Sequence, residues 1–341
     1  MEPESLLKRC MRCGFCRASC PVFKETKNEG SVARGKLQTL LALLEGELPA
    51  SEKALLRVFE CTTCDACAQA CPAGVEVSSV ILAARRRYLA KLELPVHEWK
   101  VEVTREMGNP FGEVMRTSEG DARVAYFPGC TAQFRAGEIE QAAVRLLRRI
   151  LGDFSVVRDF CCGAPLLTFG SAWEEFVARN GAKLEERGVE RLIVTCPGCY
   201  NTLRKHYRTE VVHLSALLLE SLEELAFAPL SARVAYHDPC HLARGANIYE
   251  EPRRLLEAVP ELELRELEHT RLDTRCCGAG GGFPLAFPEL SASIARRRLA
   301  EAKRAKVEVL TTFCPSCYLH LRTLAGEDLI VKDLAVLLAE D

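Results

Sequence analysis

The sequence predicts an α/β chain: a mainly helical N-terminal module, then one α/β domain written twice, the copies related by pseudo-two-fold symmetry. Three observations predict it. Segments roughly 110 residues apart match each other. Inside each copy, short apolar strands alternate with helical stretches. Before the copies, from roughly Arg34 to Glu60, Leu37, Leu40, Leu41 and Leu44 and then Leu55, Leu56 and Phe59 fall at helical spacing and read as core.

The repeat is explicit. Arg123-Val-Ala-Tyr-Phe-Pro-Gly-Cys130 matches Arg233-Val-Ala-Tyr-His-Asp-Pro-Cys240. Phe160-Cys161-Cys162-Gly163-Ala164 matches Arg275-Cys276-Cys277-Gly278-Ala279, and Cys196-Pro-Gly-Cys199-Tyr200 matches Cys314-Pro-Ser-Cys317-Tyr318. Each copy opens with a strand, Val124 to Phe127 or Val234 to Tyr236, and the first continues through helical stretches at Glu138 to Leu151 and Ala172 to Arg187 and a strand at Leu192 to Thr195. With a polar Gly- and Pro-containing connection from about Gly108 to Asp121, the expected domains are 1–108, 121–228 and 229–341.

At 341 residues the chain can bury ordinary cores without disulfides, so its 18 cysteines call for a chemical explanation. No export signal is read at Met1 to Arg9, and the expected compartment is the reducing cytoplasm, where thiols remain available as soft metal ligands. The apolar runs Leu40 to Leu44 and Leu214 to Leu219 are far short of the roughly 20 residues that span a bilayer. The net charge of −2 is interspersed, and Arg85 to Arg87 and Arg296 to Arg298 read as solvated helix faces, so no nucleic-acid partner is expected.

Cys10, Cys13, Cys16, Cys20 and Pro21 repeat their spacing as Cys61, Cys64, Cys67, Cys71 and Pro72. This is the two-cluster bacterial ferredoxin pattern, in which three thiolates at i, i+3 and i+6 wrap one [4Fe–4S] cubane and the fourth cysteine reaches the other. The expected ligand sets therefore cross: Cys10, Cys13, Cys16 and Cys71 for one cubane, Cys61, Cys64, Cys67 and Cys20 for the other. Paired zinc sites need neither the third thiol nor the terminal Cys-Pro. In each α/β copy five more thiols are expected to converge beyond strand ends, where α/β sheets gather ligands. They are Cys130, Cys161, Cys162, Cys196 and Cys199 in the first copy, and Cys240, Cys276, Cys277, Cys314 and Cys317 in the second. Five is one more than a tetrahedral zinc or a cubane requires.

A Cys, then Cys-Cys-Gly, then Cys-Pro-x-Cys arrangement present twice resembles the CCG domain of heterodisulfide reductase. The ferredoxin pair and Ser31-Val-Ala-Arg34-Gly35-Lys36 extend the likeness to the heterodisulfide reductase D-type family, which includes the iron–sulfur subunits of glycolate oxidase and anaerobic glycerol-3-phosphate dehydrogenase. The resemblance implies a non-cubane [4Fe–4S] cluster on each complete five-cysteine motif, with a disulfide substrate cleaved between two such clusters. Spacers of 30 and 33 residues in the first copy against 35 and 36 in the second favour the second as a cluster site.

The expected activity is that of an iron–sulfur electron-transfer subunit relaying electrons between a flavoprotein partner and the CCG sites, in a heterodisulfide reductase-like or flavin-linked 2-hydroxyacid or glycerol-3-phosphate dehydrogenase complex. A flavoprotein is the natural two-electron donor because no dinucleotide fingerprint follows a strand here. A quinone or membrane-associated redox partner is also expected, with a place on the inner face of the membrane through a partner. One alternative makes the chain itself a disulfide or quinone reductase acting at the CCG sites. Another is a docking scaffold with zinc or no metal. His237 and His241 flank Cys240 and read as residues that orient a ligand rather than supply protons, and Asp238 as a turn or hydrogen-bonding residue. Gly278 to Gly282 reads as a stretch that lets backbone approach a cluster.

Overall fold

The computed structural model describes residues 3–88 and 95–340; the outer limits expected for the first and last domains, at residues 1 and 341, lie outside them. The stretch expected to be helical between Arg34 and Glu60 forms two helices, Ala33–Leu44 and Glu52–Phe59. Gly46, at φ +76°, and Pro49 interrupt it, and the Ser51 hydroxyl accepts from Ala54 N–H at 3.4 Å to start the second helix. Leu37, Leu40, Leu55, Val58 and Phe59 then pack on Val77, Val80 and Ile81 of the helix Val77–Tyr88. Each such buried side chain contributes about 1.5–3 kcal/mol. Leu41, Leu44 and Leu56 lie at the edge of this core, partly buried.

Each copy of the repeat builds a four-stranded parallel sheet. The first contains β1 (Val124–Phe127), β2 (Ser155–Val156), β3 (Arg191–Val194) and β4 (Glu210–His213), ordered β2-β1-β3-β4. The second contains β5 (Arg233–Tyr236), β6 (Glu263–Arg265), β7 (Val309–Thr312) and β8 (Ile330–Asp333), ordered β6-β5-β7-β8. Strand for strand the order is the same. Their cores explain the apolar strand sequences: Ala125, Tyr126, Phe127, Leu192, Ile193 and Val194 are all buried, as strands covered on both faces must be.

The copies meet reciprocally. Helix Gly137–Ile150 of the first packs on Leu334–Leu338 of the second, and in the reciprocal pair Leu214–Glu220 of the first packs on Glu251–Glu257 of the second. Helix Pro197–His206 likewise packs on Cys240–Ala246, and Pro315–Leu324 on Gly129–Arg135. Residue sets that contact each other's equivalents are the signature of two-fold relatedness. One apolar cluster, including Tyr126, Leu146, Ile193 and Leu218 with Val234, Tyr236, Phe313 and Leu338, seals the joint.

The N-terminal module is fastened to both copies. Arg85 is only 1% exposed, and its guanidinium donates to the carbonyls of Phe59, Cys61, Thr168 and Gly281. Gly280 and Gly281 lie against the Thr62 and Cys61 carbonyls so closely that an added Cβ would sit 2.5 and 2.6 Å from oxygen, and Gly281 has φ +66°. The substitution Gly281→Ala is therefore expected to lower unfolding free energy by about 1–3 kcal/mol, read by denaturant titration, from combined clash and left-handed strain. Among the described residues no helix is long and apolar enough to cross a membrane.

Candidate metal centres

In the two N-terminal blocks the backbone turns at the same places. Arg12 and Gly14 in the first block, and Thr63 and Asp65 in the second, have positive φ, two and four residues after the leading cysteine. The left-handed turns curl each loop so that its thiols face one space. A short helix follows, Cys16–Ser19 or Ala66–Gln69, and carries the chain to the fourth cysteine. Cys20 starts the next helix, Pro21–Thr26, its sulfur accepting from Phe23 N–H at 3.5 Å. One cavity is lined by Cys10, Cys13, Cys16 and Cys71, and another by Cys20, Cys61, Cys64 and Cys67, with Cys67 also bordering the first. The fourth cysteine of each block thus stands beside the other block's three.

The first α/β copy gathers its five cysteines past the ends of β1, β2 and β3. Cys130 lies in the helix after β1 and its Sγ is 3.7 Å from that of Cys161. Cys162 bonds to both Cys161 and Cys199, and Cys199 in turn to Cys196. Four of the five are buried and Cys196 is half-buried. Tyr207 donates to the Cys162 carbonyl and Asn180 to that of Cys161, which fixes the loop between them.

The second copy repeats the chain of contacts from Cys240 through Cys276, Cys277 and Cys317 to Cys314, all buried. Cys277 and Cys317 sulfurs are 3.1 Å apart. Gly278 N–H donates to Cys276 sulfur at 3.3 Å, and Cys317 N–H to Cys314 sulfur at 3.5 Å. Gly278, at φ +90°, passes so close to the Ser291 carbonyl that a Cβ would lie 2.6 Å from its oxygen. His237, fully buried, places a ring nitrogen within 4.8 Å of the Cys277 and Cys317 sulfurs. Asp238 is held by Arg253 through two bonds of 2.7 and 2.9 Å and accepts from Arg271 N–H, so it serves as a buried anchor.

The N-terminal module and the second copy touch through sulfur. The Cys64 and Cys276 thiols are neighbours, and Cys20, Cys64, Cys240 and Cys276 share one buried cluster with Val22, Phe283 and Ile294. Arg244 donates to the Cys64 carbonyl at 2.6 Å and His241 Nε2 to that of Thr63 at 3.1 Å. His241 therefore faces the ferredoxin-like loop.

Two expectations require correction. Arg85 and Arg298, read with their triplets as solvated faces, are 1% and 0% exposed, because each helix face is covered by another part of the chain. Of the glycine run, Gly280 and Gly281 lie against the backbone of Thr62 and Cys61, and Gly278 supplies the N–H to sulfur. Arg85, Arg244 and Arg298 were all missed as parts of the site; only the buried side of a helix distinguishes them from surface arginines.

The donor sets fit iron–sulfur chemistry. Each group is dominated by thiols, the soft donors that take iron–sulfur clusters or zinc, with the His237 ring beside the second, and five thiols exceed a tetrahedral ion's need. Hydrogen bonds given to neighbouring thiols, and then burial, hold Cys161, Cys199, Cys276 and Cys317 well above a thiol's usual pKa. Bonds received from those neighbours push Cys162 and Cys277 well below it. Such a group favours one thiolate among thiols, and multiple ionisation needs a cation at its centre.

Residues 124–204 and 234–322 each match the cysteine-rich domain family, and residues 6–75 match the 4Fe-4S dicluster domain family. A subunit of the fumarate reductase (CoM/CoB) of Methanothermobacter marburgensis is 31% identical over 340 residues, covering 93% of this chain and 68% of that one. A subunit of the dihydromethanophenazine:CoB–CoM heterodisulfide reductase of Methanosarcina barkeri is 27% identical over 382 residues, covering 98% and 93%. The EtfAB:quinone oxidoreductase of Syntrophomonas wolfei is 25% identical over 390 residues, covering 91% and 54%.

Proposed function

The chain belongs to the heterodisulfide reductase D-type family of iron–sulfur oxidoreductase subunits, and from that membership we propose that it relays electrons one at a time between a flavoprotein partner and its two cysteine-rich domains. The observation that carries the reading is the buried cluster in which Cys20 and Cys64 of the ferredoxin-like module stand with Cys240 and Cys276 of the second copy. In this reading Cys10, Cys13, Cys16 and Cys71 would hold one cubane and Cys20, Cys61, Cys64 and Cys67 the other. Cys130, Cys161, Cys162, Cys196 and Cys199 would hold a third cluster, and Cys240, Cys276, Cys277, Cys314 and Cys317 a fourth, within domains at 1–108, 121–228 and 229–341. Such clusters, when bound, supply one-electron carriers with potentials set by charge, exposure and hydrogen bonds to sulfur.

The chain's own residues shape that environment. Exposed Cys13, between exposed Met11 and Phe15, offers a face where a partner can approach the first group. Inward from it, burial excludes water around Cys64, Cys240 and Cys276. Backbone N–H groups of Phe23, Thr63, Gly278 and Cys317 are fixed donors to sulfur that need no reorganisation when charge changes.

The test is iron, acid-labile sulfide and zinc on anaerobically reconstituted chain. About sixteen irons per chain and no zinc are expected, four for each of four groups; about eight would overturn the relay reading and leave the α/β copies as a scaffold. A second reading, a disulfide or quinone reductase, is favoured by one observation: the Cys-Pro-x-Cys helix of each copy packs on the first-cysteine helix of the other, setting both groups along one interface. The relay reading expects reducible centres but no disulfide or quinone turnover with an artificial donor; turnover by the chain alone would decide for the second.

A further inference from the structure

Among the differences between the two five-cysteine groups, one pair of positions bears on sulfur. The strand match Arg123-Val-Ala-Tyr-Phe with Arg233-Val-Ala-Tyr-His sets His237 in the place of Phe127. Nine residues before the buried valines Val189 and Val307, the neighbouring helices carry Asn180 in the first copy and Arg298 in the second. In the first copy Phe127 stacks on Phe160 at 5.2 Å, and Asn180 donates to the Cys161 carbonyl at 3.0 Å, so neither offers an N–H to sulfur.

In the second copy Arg298 Nε donates to His237 Nδ1 at 3.0 Å. Arginine has donors only, so Nδ1 must accept, and the proton of the neutral ring resides on Nε2. Arg298 is held in place: its Nη1 donates to the His269 carbonyl at 2.9 Å and to Glu301 at 2.8 Å, and both Arg298 and His237 are completely buried. The His237 backbone is pinned as well, its N–H to the Thr311 carbonyl at 2.7 Å and its carbonyl to the Thr312 hydroxyl at 3.0 Å. His237 Nε2 is buried and makes no hydrogen bond in this structure, and the His237 ring stands within 4.8 Å of the Cys277 and Cys317 sulfurs, the acceptors left for its proton.

We propose that Arg298 fixes His237 as an N–H donor to the Cys277–Cys317 sulfur pair, making the second cysteine group the more easily reduced of the two. The inference rests on the reading that each group holds a cluster. A ligating nitrogen must be free of its proton, so the Arg298 bond makes His237 a positioned donor and not a metal ligand. The donor stabilises the added negative charge of the reduced state, which raises its potential. Phe127 gives the first group no such donor, and the two groups are thereby ordered in potential within one chain.

The experiment is a potentiometric titration of the anaerobically reconstituted full chain followed by electron paramagnetic resonance, after its iron content is counted. Two signals from the α/β groups are expected at separate potentials. In H237F/R298N, which installs the first copy's residues, the upper one should fall by at least a tenfold change in its reduction equilibrium, about 59 mV for one electron. His237→Gln, whose amide can accept from Arg298 and donate to sulfur, should keep the native value. The unsubstituted protein grown with 15N-histidine supplies a measurement independent of variant folding. A weak nitrogen coupling with an exchangeable proton is expected there, and the strong coupling of a directly bonded nitrogen overturns the donor assignment. Unshifted potential in H237F/R298N with iron intact overturns this inference alone; absence of both signals in the unsubstituted chain overturns the cluster reading with it.

Discussion

Cys277→Ser is expected to lower iron from about sixteen to about twelve per chain, four irons being one cluster, while leaving the signals of the N-terminal module in place. Cys277 is the middle of its group, next to Cys276 in the chain and with its sulfur 3.1 Å from that of Cys317. Serine nearly preserves volume, so the fold survives, but its oxygen is a hard, weakly acidic donor that cannot replace a thiolate on iron. Contact decides which variant is the cleaner probe. Cys276 shares a buried cluster with Cys20 and Cys64 of the N-terminal module, so Cys276→Ser should disturb one ferredoxin-type signal as well as remove the second-copy cluster. Iron and sulfide assays with spectra of both variants check this: undiminished iron in Cys277→Ser would sink the ligand assignment, and loss of all iron would sink the independence of the two modules.

What the sequence made legible was whatever depends on spacing. Thiols at i, i+3 and i+6 must share a loop, and the loops do turn at matched positions, Arg12 and Gly14 against Thr63 and Asp65. The apolar runs at Val124 to Phe127 and Leu192 to Val194 needed cover on both faces, and they are central strands of a parallel sheet. The Cys-Cys-Gly glycine was legible as a motif, yet its reason, φ +90° against the Ser291 carbonyl, is tertiary. Arginine burial was not legible. An Arg-Arg-Arg run on an amphipathic helix looks the same whether one member faces water or a second domain, and Arg85 faces carbonyls supplied by segments far along the chain. The His237 arrangement leaves a trace in the sequence: a histidine aligned with a phenylalanine inside an otherwise matched strand marks a place where duplicate sites have diverged. Its partner Arg298 comes from another element, and only the fold brings the two within 3.0 Å.

Replacement of Arg85 by Met is expected to cost about 3–5 kcal/mol of stability and to loosen the N-terminal module from both α/β copies. Its two terminal nitrogens donate to Thr168 and Gly281 carbonyls at 2.9 and 2.8 Å and to Phe59 and Cys61 carbonyls at 3.1 and 2.7 Å. Methionine fills much of the same space and removes the desolvation cost of a buried charge, which returns part of the loss. The four carbonyls belong to backbone fixed by helices, the cysteine loop and the glycine turn, so they cannot swing toward other donors. Each carbonyl left without a donor costs about 1–3 kcal/mol, and that sum outweighs the gain. Arg85→Lys should recover less than half, since one ammonium cannot reach acceptors on both sides of a planar fork. The Cys61 carbonyl lies in the loop that also carries Cys64, so the same loss should weaken the Cys64–Cys276 contact. Slower electron transfer from the N-terminal module to the second copy should then accompany the lower unfolding midpoint. A normal midpoint in Arg85→Met would mean that the apolar cluster of Val22, Phe283 and Ile294 is sufficient to dock the module, and that the arginine serves only to order the Cys61 loop.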